Sequence, residues 1–193
     1  SSAASDVYKR QTYNSLNQLT EMTGGGILST YEYDKNGNLT KKTTGPVVTE
    51  YTYNQANLPV SMTNKNGETV YQAYQYSYTL DGNRTAENEA GGISRAYQYD
   101  SLGRLTQETQ TGGGTKESYG YTYDAFGNRA QMKVTGTENY TVSYAYDLNN
   151  RLLSQTKEKA REKEIRQYEY DPNGNQISWR RSKITASGEK AYM

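Results

Sequence analysis

The sequence contains no cysteine and no histidine. Without cysteine there is no disulfide, no thiolate nucleophile and no thiolate zinc site. Without histidine there is no Ser-His-Asp or Cys-His apparatus and no imidazole metal ligand. Apolar residues are sparse as well. The hydrophobic class makes up 33% of the 193 residues, with one Phe (Phe126) and one Trp (Trp179), against about 45–50% in an ordinary globular domain. Mean hydropathy is -1.06, so a thick aliphatic core is not expected. No apolar run approaches the ~18 residues of a membrane-spanning helix. Ser1 to Asp6 shows no basic region leading into an apolar one, so no signal peptide is expected there. Neither sign of charge prevails: 22 Lys and Arg face 21 Asp and Glu, a net charge of +1. That balance argues against a nucleic-acid groove. It also argues against disorder, which low hydropathy alone would favour.

What the chain has in quantity is tyrosine, 21 residues, and glycine, 18. Tyrosine favours strands. Its placement is periodic. A Tyr-x-Tyr-Asp segment recurs as Tyr31 to Asp34, Tyr97 to Asp100, Tyr121 to Asp124, Tyr144 to Asp147 and Tyr168 to Asp171. Tyr51 to Asn54 and Tyr76 to Thr79 are degenerate copies, and Tyr13-Asn14 is a half copy. With the second Tyr as anchor, the series is Tyr13, Tyr33, Tyr53, Tyr78, Tyr99, Tyr123, Tyr146 and Tyr170, in steps of 20 to 25 residues. These eight repeats make the whole chain, 1–193, a single array. Tyr192-Met193 reads as the start of a ninth repeat, and the chain as a piece of a longer array.

The residue four after each anchor is Asn17, Gly37, Asn57, Gly82, Gly103, Gly127, Asn150 or Gly174. Gly and Asn tolerate positive φ best. Asp or Asn opens seven of the eight segments, and Asp at the first place with Gly at the fourth marks a type I turn. A type I turn followed by a left-handed residue closes a hairpin with a G1 bulge. The turn sets the register: Tyr99 should oppose Leu105, Tyr33 Leu39, and Tyr146 Leu152. The pattern is imperfect, because Pro59, Arg84, Arg129 and Gln176 hold the Leu place elsewhere. A second set of turn signals lies midway between anchors: Gly24 to Gly26, Gly45-Pro46, Asn66-Gly67, Gly91-Gly92, Gly112 to Gly114, Gly136 and Gly188. Lys157 to Arg166 lacks such a signal and reads as a charged hairpin end or a short helix, the hairpin end being favoured. The expected fold is all-β, with two strands per repeat. About sixteen strands at ~4.8 Å would span roughly 75 Å, and open sheets beyond about ten strands curl. A curved, spiralling single-layer sheet of antiparallel hairpins is therefore expected, stabilised by its neighbours as in other linear repeats.

These segments resemble the YD-repeat, or Rhs, family, whose motif is Tyr-x-Tyr-Asp-x-x-Gly-Arg/Asn-Leu. Tyr97, Tyr99, Asp100, Gly103, Arg104 and Leu105 match it throughout. Tyr31, Tyr33, Asp34 and Gly37 match nearly as well, as do Tyr121, Tyr123, Asp124 and Gly127. Tyr144, Tyr146 and Asp147 carry the Tyr-Asp part, and Tyr168, Tyr170, Asp171 and Gly174 the Tyr-Asp and Gly parts. The resemblance implies a hairpin strip forming a hollow shell in large exported bacterial proteins, toxins among them, and in animal teneurins. It implies a secreted or cell-surface location, an enclosed toxin domain as partner, and carbohydrate as a second ligand class. The closing core with its self-cleaving aspartates, which follows such repeats in the family, has no match here.

Three readings of function follow. The first is a non-catalytic shell wall, with the turn Asp residues forming turns. The second is a carbohydrate module using exposed Tyr rings. The third is calcium, since Asp34 to Asn38 and Asp171 to Asn175 superficially resemble the start of an EF-hand loop; yet Gly stands fourth there instead of sixth, and Gly45 or Ser182 stands twelfth instead of Glu. An enzyme is the poorest reading, because a catalytic carboxylate pair should stand out and these Asp residues recur. No cofactor is expected. Arg180, Arg181 and Lys183 beside Trp179 form a basic patch, read as the ragged end of the array. Unpaired edges near Tyr8 to Tyr13 and Ile184 to Tyr192 would favour strand pairing between copies, which Lys183 and Lys190 would weaken.

Overall fold

The computed structural model describes residues 10–185 and 188–192. Ser1 to Asp6, Tyr8 and Met193 lie outside the described residues. All regular structure among these is strand, seventeen in number. The chain divides into two compact units, Ser1–Ser94 and Arg95–Met193. The first unit contains β1 (Arg10–Tyr13), β2 (Leu19–Gly24), β3 (Ile27–Tyr33), β4 (Leu39–Thr44), β5 (Val47–Tyr53), β6 (Pro59–Asn66), β7 (Thr69–Tyr78) and β8 (Arg84–Glu89). The unit boundary falls within β9 (Ile93–Tyr99). The second unit continues with β10 (Leu105–Gly112), β11 (Thr115–Tyr123), β12 (Arg129–Thr135), β13 (Tyr140–Tyr146), β14 (Leu152–Lys159), β15 (Glu162–Tyr170), β16 (Gln176–Thr185) and β17 (Gly188–Tyr192). β17 is the strand beyond the expected sixteen, and it holds the Tyr192 read as the ninth repeat.

Both units are antiparallel meanders. In the first, β1 pairs with β2, β2 with β3 and so on to β8. The second repeats this from β10 to β17. Within each unit, contacts among the described strands run only between strands consecutive in the chain, so no described element forms a second layer on the sheet. The composition demands this, since only Val134, Val142 and Ser29 are buried among the described residues. The packed face is made of half-buried tyrosines. In the seven Tyr-x-Tyr triplets that end on an anchor tyrosine, the two tyrosines are half-buried and the residue between is exposed, as the two-residue strand period requires.

Lys157 to Arg166 is a hairpin end, as favoured. β14 and β15 pair from Ser154↔Gln167 to Lys159↔Glu162. Ala160 takes the left-handed place, at φ 50°. Ion pairs hold the charged ends together: Lys163 to Glu158 at 3.1 Å, Lys183 to Glu162 at 2.9 Å and Arg181 to Glu164 at 2.7 Å. Arg181 and Lys183 of the basic patch are thus spoken for within the sheet.

Candidate functional site

All eight residues four after an anchor have positive φ: Gly37, Gly82, Gly103, Gly127 and Gly174 at 74° to 89°, and Asn17, Asn57 and Asn150 at 59° or 60°. Each tip is closed by the same two backbone bonds. The N–H of Gly103 donates to the Asp100 carbonyl at 3.0 Å, and the N–H of Asp100 donates to the Arg104 carbonyl at 2.9 Å. The expected cross-strand pairs Tyr33↔Leu39 and Tyr146↔Leu152 form, as do Tyr53↔Pro59, Tyr78↔Arg84, Tyr123↔Arg129 and Tyr170↔Gln176.

The carboxylate of each turn Asp is used up locally. One oxygen of Asp147 accepts the N–H groups of Asn149 and Arg151, each at 2.9 Å. The other takes the Arg151 guanidinium at 2.6 Å. Asp100 repeats this with Leu102 and Arg104, the Arg104 ion pair being 2.7 Å. Where Asn replaces Arg, its amide does the same: Asn38 to Asp34 at 2.9 Å, Asn128 to Asp124 at 3.1 Å, Asn175 to Asp171 at 2.9 Å. These donors hold the acids below the usual Asp range. The Arg104 and Arg151 backbone N–H groups lead at Asp100 and Asp147, and the Asn38 and Asn175 amides at Asp34 and Asp171. At Asp124 partial burial pushes up, and the Asn128 bonds outweigh it. Among the described residues, no group of three or more acids is placed to hold a metal ion.

Two features were not visible in the sequence reading. The first is a second bulge in every tip hairpin with a described register. After Tyr33↔Leu39 comes Glu32↔Lys41, so Thr40 is left over, and the same shift recurs at the other anchors. The ladder to the next repeat then starts two residues past the anchor's partner, at Lys41↔Glu50 for this repeat. The Leu39 carbonyl lies beyond that ladder, and the Tyr53 hydroxyl donates to it at 2.8 Å. The bond recurs from Tyr33 to Leu19, Tyr78 to Pro59, Tyr123 to Leu105, Tyr146 to Arg129 and Tyr170 to Leu152, at 2.6 to 3.1 Å. Six of the eight anchor tyrosines therefore tie their repeat to the one before. The hydroxyl is what the motif needs, which explains Tyr where Phe would pack equally well.

The second feature is arginine on tyrosine. Arg104 lies 4.6 Å from the ring centre of Tyr123 and Arg151 5.2 Å from that of Tyr170, each in the following repeat. Arg84 covers Tyr76 at 4.4 Å and Arg129 covers Tyr121 at 4.9 Å. Arg84 and Arg129 stand opposite Tyr78 and Tyr123 but lay their guanidinium planes on the other ring of the same triplet, so these departures from leucine still pack against tyrosine. Tyr31 pairs with Lys42 and carries its ammonium, Tyr168 pairs with Trp179, and Tyr144 pairs with Gln155. Asn side chains also bridge tips: Asn38 to Asn57 and Asn128 to Asn150, both at 2.8 Å. The signal was there, since an acceptor Asn stands at the fourth place one repeat after these two.

A recurring tip built this way is a scaffold signature, and comparison with protein families agrees. The Teneurin YD-shell family model matches residues 3–129. The chain belongs to that family. The YD-shell match covers the first six tips, and the tips at Asp147 and Asp171 beyond it have the same geometry. The family is a structural one, so the chain is a YD-shell segment. Comparison with curated protein sequences finds no match. Among solved structures, a porin-like protein from Bacteroides uniformis is similar at 13% identity and a TM-score of 0.44, with 95% of this chain and 90% of that one covered. No helix among the described residues is long and apolar enough to cross a membrane.

Proposed function

We propose that this YD-shell segment is a non-catalytic wall of an exported bacterial shell that encloses a toxin domain. The observation that supports the reading is the use of functional groups: tip carboxylates bond their own turns, and tip tyrosines bond the preceding repeat. What repeats is spent on holding the wall, and its partners are then the neighbouring strands of the same shell. The test is to express the parent protein with the sequence downstream of this segment and digest it with protease. A downstream domain that resists digestion until the shell is opened by denaturant supports enclosure. A domain cleaved at once while the wall stays intact overturns it and favours an exposed surface wall.

Carbohydrate binding is a second reading, supported by the half-exposed rings of Tyr71 and Trp179. A glycan array on the purified segment tests it, and loss of a signal in Tyr71→Ala or Trp179→Ala would assign the ring.

A further inference from the structure

Adjacent tips leave a groove between them, and two such grooves can be compared. In the second unit, the tips after Tyr123 and Tyr146 enclose about 200 Å³. In the first unit, the tips after Tyr53 and Tyr78 enclose about 660 Å³. The same repeat positions line both: Asn54 and Asp124, Ala56 and Phe126, Leu58 and Asn128, Tyr78 and Tyr146, Leu80 and Leu148. The larger one has traded Phe for Ala and Asn for Leu at two wall positions, which widens it and makes it more apolar. It also follows the longest step in the array, 25 residues from Tyr53 to Tyr78.

The charge differs as well. In the second unit, both lining carboxylates, Asp124 and Asp147, are engaged in their turns. In the first unit, Thr79 stands where the turn Asp would be, and its hydroxyl accepts the Asn83 N–H at 3.0 Å. The acid of this tip is Asp81, two residues later, exposed and with no ion pair or hydrogen bond among the described residues. The lining contains no Lys or Arg. The groove thus joins apolar walls (Ala56, Leu58, Val60, Leu80) and tyrosine rings to one carboxylate, Asp81, that no lining cation faces. Its volume lies within the range of small-ligand sites.

We propose that this groove binds a small organic cation, an apolar body carrying one ammonium, with Asp81 taking the charge and the Leu58, Leu80 and Tyr78 walls taking the body. The neutral and acidic isosteres of such a ligand lack the ion pair or meet repulsion. The proposal does not depend on the enclosure reading, since the groove lies within one unit.

The test uses the whole segment and phenethylamine as probe, with phenethyl alcohol and phenylacetate as matched controls, followed by calorimetry and ligand-observed NMR. The amine should bind about threefold to fivefold more tightly than the alcohol, the increment expected of an exposed ion pair, and phenylacetate most weakly. Asp81→Asn should remove the amine's advantage and leave alcohol binding unchanged. Ala56→Arg, which supplies an internal cation, should abolish amine binding while the circular dichroism of the sheet stays the same. Raising salt should weaken the wild-type interaction and not that of Asp81→Asn. Equal binding of amine, alcohol and acid, insensitivity to Asp81→Asn, or preference for a neutral oligosaccharide at this groove would overturn the proposal.

Discussion

The two ends of each hairpin are built on opposite plans. At the tip end, five residues always separate the anchor tyrosine from its cross-strand partner, whether Tyr33 and Leu39 or Tyr170 and Gln176. At the far end, the connections vary. Gly25-Gly26 and Gly113-Gly114 are two-residue turns, Gly136 to Asn139 is longer, and Ala160-Arg161 has no glycine. The tip is held by the same side-chain bonds from repeat to repeat, while the far ends share no such motif: Thr115 bonds Gly112, Asn139 bonds Gly136, and Lys163 pairs with Glu158. The steps of 20 to 25 residues are absorbed almost wholly at the far ends and in strand lengths. A repeat array thus keeps one edge invariant, because that edge couples repeats, and lets the other drift.

The sharpest break in that contrast is Gly136, a far-end residue with a constraint of its own. It has φ 143°, and a Cβ there would lie 2.5 Å from the Lys116 carbonyl oxygen. Gly136→Ala should cost about 3 kcal/mol, the upper end for backbone strain. Gly113→Ala meets open space at φ 59° and should cost only about 1 kcal/mol. Urea melts of the two variants compare them, and equal midpoints would show that Gly136 is not pinned.

At the tip, Gly103→Val places a branched side chain at φ 74° and should cost roughly 1–2 kcal/mol or more. Ser101→Ala, in the same turn, should stay within about 0.5 kcal/mol. Equal melting temperatures would refute the left-handed role of Gly103. Next in size is the link between repeats. Tyr53→Phe removes the hydroxyl on the Leu39 carbonyl and should cost about 1 kcal/mol. Hydrogen exchange should report faster opening at the start of β4, where that carbonyl sits.

Ala160→Gly should run the other way. Alanine at φ 50° is strained, and glycine relieves this at some entropic cost, for a net gain of about 0.5 kcal/mol. A melting temperature below wild type would contradict it. The smallest effect is acidic. The turn Asp residues have lowered pKa values when folded, so their contribution is present above the ordinary Asp pKa of about 4 and is lost as pH falls through the lower folded value. Asp147→Asn should flatten the acid limb of the stability profile below pH ~4, and an unchanged limb would remove Asp147 from that role.

Much of this was legible in one sequence because the repeat supplied internal copies. Tyr33, Asp34 and Gly37 could be read against Tyr99, Asp100 and Gly103, and a type I turn with a left-handed fourth residue has a strict chemical signature. The bulge at Thr40 was not legible, because its residue is Thr, Val, Ala, Leu or Ile in different repeats and carries no composition signal. The arginines at 84 and 129 looked like defects, because their partner rings are named only once strands are placed side by side.

The sequence by itself determined the hairpins: eight tip turns, their register, and an all-β chain without a thick core. These follow from local φ preference and two-residue alternation, which act within a few residues. Only the tertiary structure decided what each side chain spends its polar groups on. The Tyr53 hydroxyl meets Leu39 fourteen residues away, Arg104 meets the ring of Tyr123, and Asp81 is left over where Asp147 is not. Such pairings depend on which carbonyls the ladder leaves bare and how far apart adjacent tips stand, and those distances exist only after the strands have paired.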